Sequence, residues 1–108
     1  MKLIAITVSL LFCGFAHADE MTSSQSIKEV LYNATADYLY MTGQAGWGSP
    51  TCPNAQYAQV SSSVAGRKQL LAIAMLAKAT GSQVAFQGLC EPTNLNYFNV
   101  TYIIVRQN

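Results

Sequence analysis

The hydrophobic and polar positions of this chain change period several times, and each change marks an element. In "SIKEVLYNATADYLYMTGQ" the spacing of Ile27, Val30 and Leu31 is open to a helical stripe, but "DYLYMTG" has strand composition and ends in a Thr-Gly turn. The stretch is read as two strands, Ile27–Asn33 and Tyr38–Thr42. Gly43–Pro53 is a loop by its Gly, Pro and Ser content. "NAQYAQVSS" alternates again and reads as a third strand.

"VAGRKQLLAIAMLAKATG" then switches to helix formers, with Ser61, Ser62 and Ser63 available as N-caps and Gly81 in the position of a C-terminal glycine. Gly66 is the discordant residue of its first turn. "SQVAFQGLC" returns to alternation, "EPTNLN" is a turn, and "YFNVTYIIVRQ" is a last strand rich in β-branched and aromatic residues. The predicted order is three strands, one helix, two strands. That is an α+β domain with one long helix on a small, mostly antiparallel sheet or small barrel. "DEMTSSQS", Asp19–Ser26, is polar and expected to fray.

The helix has almost no polar face. Leu70–Ala77 contains no polar residue, so its apolar surface is wider than one sheet needs. Either alanine simply makes exposure inexpensive, or one side covers the sheet and the other meets a second subunit. The second account makes Leu71, Ala74, Met75 and Lys78 candidate contacts of a homo-oligomer.

The first residues carry a different signal. Lys2, the apolar run Leu3–Phe12 and the Ala16-His17-Ala18 motif form a secretory signal peptide, 1–18, cut before Asp19. The run is too short to span a bilayer. A lipoprotein anchored at Cys13 is the rival, weakened by the bulky Phe12 beside it. Removal leaves a single domain, 19–108, in a secreted or periplasmic setting, with five acids, five bases and no histidine. Clustered Lys and Arg are absent, which argues against nucleic acid or an anionic membrane as partner. Cys52 and Cys90 are the remaining cysteines, and an even pair in an exported chain predicts one disulfide. Closing so long a loop is worth about 4 kcal/mol in the chain-entropy model.

Catalytic sets are missing. Without histidine there is no Ser-His-Asp or Cys-His arrangement, no residues have metal-ligand spacing, and "GQAGWG" does not open a helix as a phosphate loop would. A carboxylate pair such as Glu29 with Asp37 is the one enzymatic option. The reading is therefore a non-enzyme that needs no cofactor and no metal. Asn33 and Asn99 head sequons in form only.

Aromatic residues are what remains. Phe86, Phe98 and Tyr102 are expected in the core. Trp47, in "GWGSPTCP", lies between two glycines close to Cys52. Two roles are open to it. It is a partly exposed contact residue that stacks on a sugar ring or anchors an interface, with Tyr38, Tyr40 and Ser49 beside it; or it folds back over the disulfide and the core.

"GRKQLLAIAMLAKATGSQVAFQGLC" and the apolar strand after it resemble the B subunits of AB5-type bacterial toxins, in the subtilase-cytotoxin and pertussis-like branch. The turn "ATGSQV", Ala79–Val84, corresponds to the family's helix-to-strand turn. The resemblance implies an OB-like barrel, a homo-oligomeric ring with its helices at the centre, a cell-surface glycan as ligand and a secreted catalytic subunit as partner. It covers about a third of the exported chain and transfers no binding residue. The alternative is a stand-alone secreted or periplasmic protein that binds another protein, as small hydrolase inhibitors do.

Overall fold

The computed structural model describes residues 19–106, so the segment 1–18 expected to be a signal peptide, with Cys13 and His17, lies outside the described residues. The described strands are β1 (Glu20–Met21), β2 (Gln25–Asn33), β3 (Tyr38–Gly43), β4 (Tyr57–Val60), β5 (Gln83–Cys90) and β6 (Tyr97–Arg106), with one helix, α1 (Arg67–Thr80), between β4 and β5.

β2 and β3 form a hairpin in the register Asn33↔Tyr38 to Glu29↔Thr42, with an irregularity between Ile27 and Glu29. Its turn is closed by polar side chains. Asn33 Oδ1 accepts the backbone N–H groups of Thr35 and Ala36, and Asp37 sits at φ 59°, a left-handed conformation that Asp tolerates. The Asp37 carboxylate accepts the Tyr32 hydroxyl at 2.7 Å and a 2.6 Å ion pair from Arg67, which ties the hairpin to the start of α1.

β3 pairs antiparallel with β4, β4 pairs parallel with β6, and β6 pairs antiparallel with β5. β5 returns to β2 through two Cα pairs, Gln25↔Val84 and Ser26↔Gln83. The pairings thus close a ring β2-β3-β4-β6-β5. So few pairs at the closing seam make it a curved, partly open sheet rather than a regular barrel. The connectivity, with the helix between the third and fourth strands of the ring, is OB-like. The architecture is α+β: a mostly antiparallel sheet with one helix and one disulfide, as the residue pattern predicts.

Alternation sorts the side chains. Leu39 and Met41 of β3, Ala58 and Val60 of β4, Val84 and Phe86 of β5, and Phe98 and Val100 of β6 point into the core. α1 adds Leu70, Ala74 and Ala77. The helix ends as expected: Gly81 is left-handed at φ 72°, and Ser82 N–H reaches the Ala77 carbonyl. Its start differs from the expectation. Gly66 is itself the N-cap residue, and no side chain caps the helix. Ser61 and Ser63 bond each other instead, 2.8 Å apart, in the turn before it.

The start of the domain is also more ordered than its composition implies. β1 pairs with Gln87 and Gly88, and Thr22 is buried, exchanging hydrogen bonds with the Phe86 backbone. Polar residues look frayed in a sequence because their partners, here a strand some 60 residues away, are not adjacent to them.

Candidate functional site

The Cys52–Cys90 disulfide is present, with its Cα atoms 6.0 Å apart. It joins the loop before β4 to the end of β5. Ser49 Oγ lies 3.3 Å from both sulfurs; bonded sulfurs carry no hydrogen, so the hydroxyl is the donor. Ser49 is buried, which removes it as a ligand contact.

Trp47 is the larger correction. Its side chain is 0% exposed, so it is not a surface contact residue. The ring meets Phe86 edge-on with centroids 4.8 Å apart, and Nε1–H donates to the Met41 carbonyl at 3.0 Å. The physical reason lies in the flanking glycines. A Cβ on Gly46 would stand 3.0 Å from the Ala55 carbonyl oxygen, and one on Gly48 would stand 3.4 Å from that of Pro53. Gly46 gives close approach between two arms of one loop, not between loop and ligand, while the distance at Gly48 is ordinary contact. Gln25 locks the first arm, accepting from Ala45 N–H at 2.9 Å and donating to the Gly46 carbonyl at 3.0 Å.

Tyr38 and Tyr40 alternate with buried Leu39 and Met41, so both stand on the outer face of β3, half-buried. The fold brings two more tyrosines to them. Tyr57 and Tyr97 are partners across the parallel β4–β6 pair, and their rings stack with centroids 5.2 Å apart. Tyr40 approaches both at 5.9 Å, edge-on to Tyr57 and tilted against Tyr97, and stacks on Tyr38 at 6.0 Å. Four rings from three strands form one aromatic surface. Together with Leu31 and Asn33, three of them, Tyr40, Tyr57 and Tyr97, line a shallow depression of about 280 Å³. Among the described residues none of the four hydroxyls has a hydrogen-bond partner, in contrast to Tyr32. Burial and the neighbouring phenols Tyr97 and Tyr38 push the Tyr40 pKa up, so its hydroxyl stays protonated.

A polar row borders the rings. Gln59 Nε2 donates to Asn99 Oδ1 at 2.7 Å, and Asn99 Nδ2 donates to Glu91 Oε1 at 3.1 Å. Bonds from Asn99 and then Thr93 hold the Glu91 carboxyl below its ordinary range. The charged carboxylate thereby fixes the direction of both amides.

Tyr57 and Tyr97 belong to this surface although local sequence does not single them out from the other aromatics. Only strand alternation in "QYAQV" and "YFNV" places them outward, and only the parallel β4–β6 pairing makes them neighbours.

On α1, Ala74 is fully buried against the sheet and is not an interface residue, and Leu71 packs partly against the core. The helix fits closely there because alanine lets the backbone approach. Met75 and Lys78 do face outward, and so do Ile73 and Leu76, the last 65% exposed. The carboxylates Glu29 and Asp37 do not share a cavity: Glu29 accepts the Thr42 hydroxyl in one groove, while Asp37 is held by Arg67 beside another. Among the described residues no helix is long and apolar enough to cross a membrane, and no three potential ligand side chains are grouped for a metal.

No family model, no curated protein and no solved structure matches this chain.

Proposed function

We propose that this chain is a secreted, non-enzymatic binding module that recognises a glycan on the tyrosine surface and forms a homo-oligomer through the exposed side of α1. The observation that carries the reading is the convergence of Tyr38, Tyr40, Tyr57 and Tyr97, half-buried rings whose hydroxyls have no partner among the described residues. Ring faces stack on the C–H face of a sugar, and free hydroxyls bond its hydroxyl groups.

The position agrees with the OB-like connectivity. OB-folds take oligonucleotides or oligosaccharides on the outer face of their second and third strands, here β3 and β4. A strand of nucleic acid needs a positive groove beside its stacking rings. Glu91 belongs to the polar row beside the rings, and the adjoining groove holds Glu29 together with Lys28. A sugar suits that balance better. The exposed apolar side chains Ile73, Met75 and Leu76 support self-association. In the toxin-like version of this reading the further partner is a secreted catalytic subunit.

A second reading, binding to another protein, draws on a different place: a groove of about 510 Å³ at the disulfide, lined by Leu89, Pro92 and Leu95. A glycan array with the native protein separates the two. Under the glycan reading, Tyr97→Ala lowers affinity for the array hit at least tenfold, the loss of roughly 1–2 kcal/mol typical of an aromatic contact, and leaves the fold intact by circular dichroism. Leu95→Ala leaves glycan binding unchanged. An array with no hits removes the reading.

A further inference from the structure

We propose that the tyrosine surface and the polar groove next to it are two contiguous subsites for one neutral oligosaccharide of at least two rings. This rests on the glycan reading above and extends it to the class and length of the ligand.

The groove lies on the same outer face of the sheet. Register rows lead from one to the other: Asn33↔Tyr38 and Leu31↔Tyr40 border the rings, and Glu29↔Thr42 borders the groove. Tyr57 lines both depressions. They enclose about 280 and 290 Å³, each just short of the roughly 300 Å³ at which small-molecule sites begin, and together well within that range.

Their chemistry differs in a way that suits successive sugar rings. The first offers aromatic faces. The second offers carboxamides, from Gln44 and Gln56, whose side chains are exposed and have no hydrogen-bond partner among the described residues. An amide presents a donor and an acceptor together, which matches neighbouring hydroxyl groups on a ring. Lys28 and Glu29 stand side by side in the groove, so it carries no net charge and favours an uncharged ligand over an acidic one. Its wall is already built. Gln25 bonds the backbone at Ala45 and Gly46 from below, so little ordering is left for the ligand to impose.

The test is an array of neutral and acidic mono-, di- and trisaccharides, followed by NMR titration of the native protein with the best disaccharide and its two component methyl glycosides. The disaccharide is expected to bind at least tenfold tighter than either component. Gln44→Ala and Gln56→Ala, both at exposed positions, are expected to bring disaccharide affinity down to that of the better monosaccharide while leaving the monosaccharide unchanged. Tyr97→Ala loses both. If the disaccharide gains nothing, or the glutamine variants change nothing while Tyr97→Ala still abolishes binding, the two-subsite proposal falls and the tyrosine site stands. Binding confined to acidic sugars overturns the neutral class. Absence of binding to every glycan overturns the site itself.

Discussion

The indole N–H of Trp47 donates to the backbone carbonyl of Met41 across 3.0 Å, with both side chains sealed from solvent. This bond answers what a tryptophan does between two glycines. It closes the loop before β4 over the core and pins that loop to the middle of β3. A buried indole needs a partner for its one donor, and Met41 supplies it from a strand that is itself part of the core. The Trp47 part of the loop between β3 and β4 is therefore built into the core, and Trp47 is not available as a surface contact.

Trp47→Ala is accordingly a stability variant. Deleting the ring leaves a cavity against Phe86 and an unmade bond at Met41, at a cost of roughly 3–5 kcal/mol. Urea unfolding is expected to show that loss, and native emission to be blue-shifted relative to the unfolded chain. An unchanged unfolding midpoint would show that the ring is solvent-facing.

Gly88→Ala is expected to disrupt the β5–β6 pair. A Cβ there would lie 1.9 Å from the Asn99 carbonyl oxygen, which is backbone and cannot swing away. Relief requires moving β6 at the residue that links Gln59 to Glu91. A cost of about 1–3 kcal/mol is expected, with shifted amide resonances around Asn99 in a two-dimensional NMR spectrum. A spectrum identical to that of the parent would contradict this packing.

The disulfide spans a sequence separation of 38 residues. A Cys52→Ala, Cys90→Ala double variant is expected to lose about 4 kcal/mol in the chain-entropy model, a large share of a small domain's stability. The unreduced protein, denatured, should yield no thiol from this pair in a titration of the chain 19–108.

Acid is expected to destabilise the domain through Asp37. Its carboxyl is held below its ordinary value by the Tyr32 hydroxyl first and by Arg67 next. The unfolded chain then binds the proton more readily than the folded one between the two pKa values. Stability from this group is complete above the unfolded carboxylate pKa and is lost as pH falls through the lower, folded value. Glu20, bonded by the Thr51 side chain and backbone, and Glu91 are shifted in the same direction. The Tm of the parent should fall as pH drops through the carboxylate range, and Asp37→Asn should fall less steeply.

The two sides of α1 are expected to separate folding from the proposed assembly. Ala74→Glu buries a charge against the sheet and is expected to unfold the subunit. Leu76→Glu, on the exposed side, is expected to leave the circular dichroism spectrum unchanged and to convert the oligomer to monomer in light scattering. A parent protein that is already monomeric at micromolar concentration removes the assembly proposal.

Strands and helix were legible wherever side chains alternate or recur at helical spacing, because those periods come from backbone geometry shared by all chains. Gly81 as the helix stop and the cysteine pairing were legible for equally local reasons: one φ angle, and one even pair. β1 was not, since its polar residues become ordered only against β5. Of the proposed site, Tyr38 and Tyr40 were legible as candidates, and the burial of Leu39 and Met41 in alternation with them decided that both face outward.

By itself, then, the sequence determined the order of the helix and of five of the six described strands, the α+β class and the disulfide. Tertiary structure alone decided that Trp47 and Ser49 turn inward, that Ala74 belongs to the core, and that Tyr57 and Tyr97 complete the aromatic surface. The reason is physical. Periodicity and turn chemistry act between residues a few positions apart. Burial depends on what the rest of the chain places opposite: the Phe86 ring across from Trp47, and a parallel partner that sets Tyr97 beside Tyr57, 40 positions away.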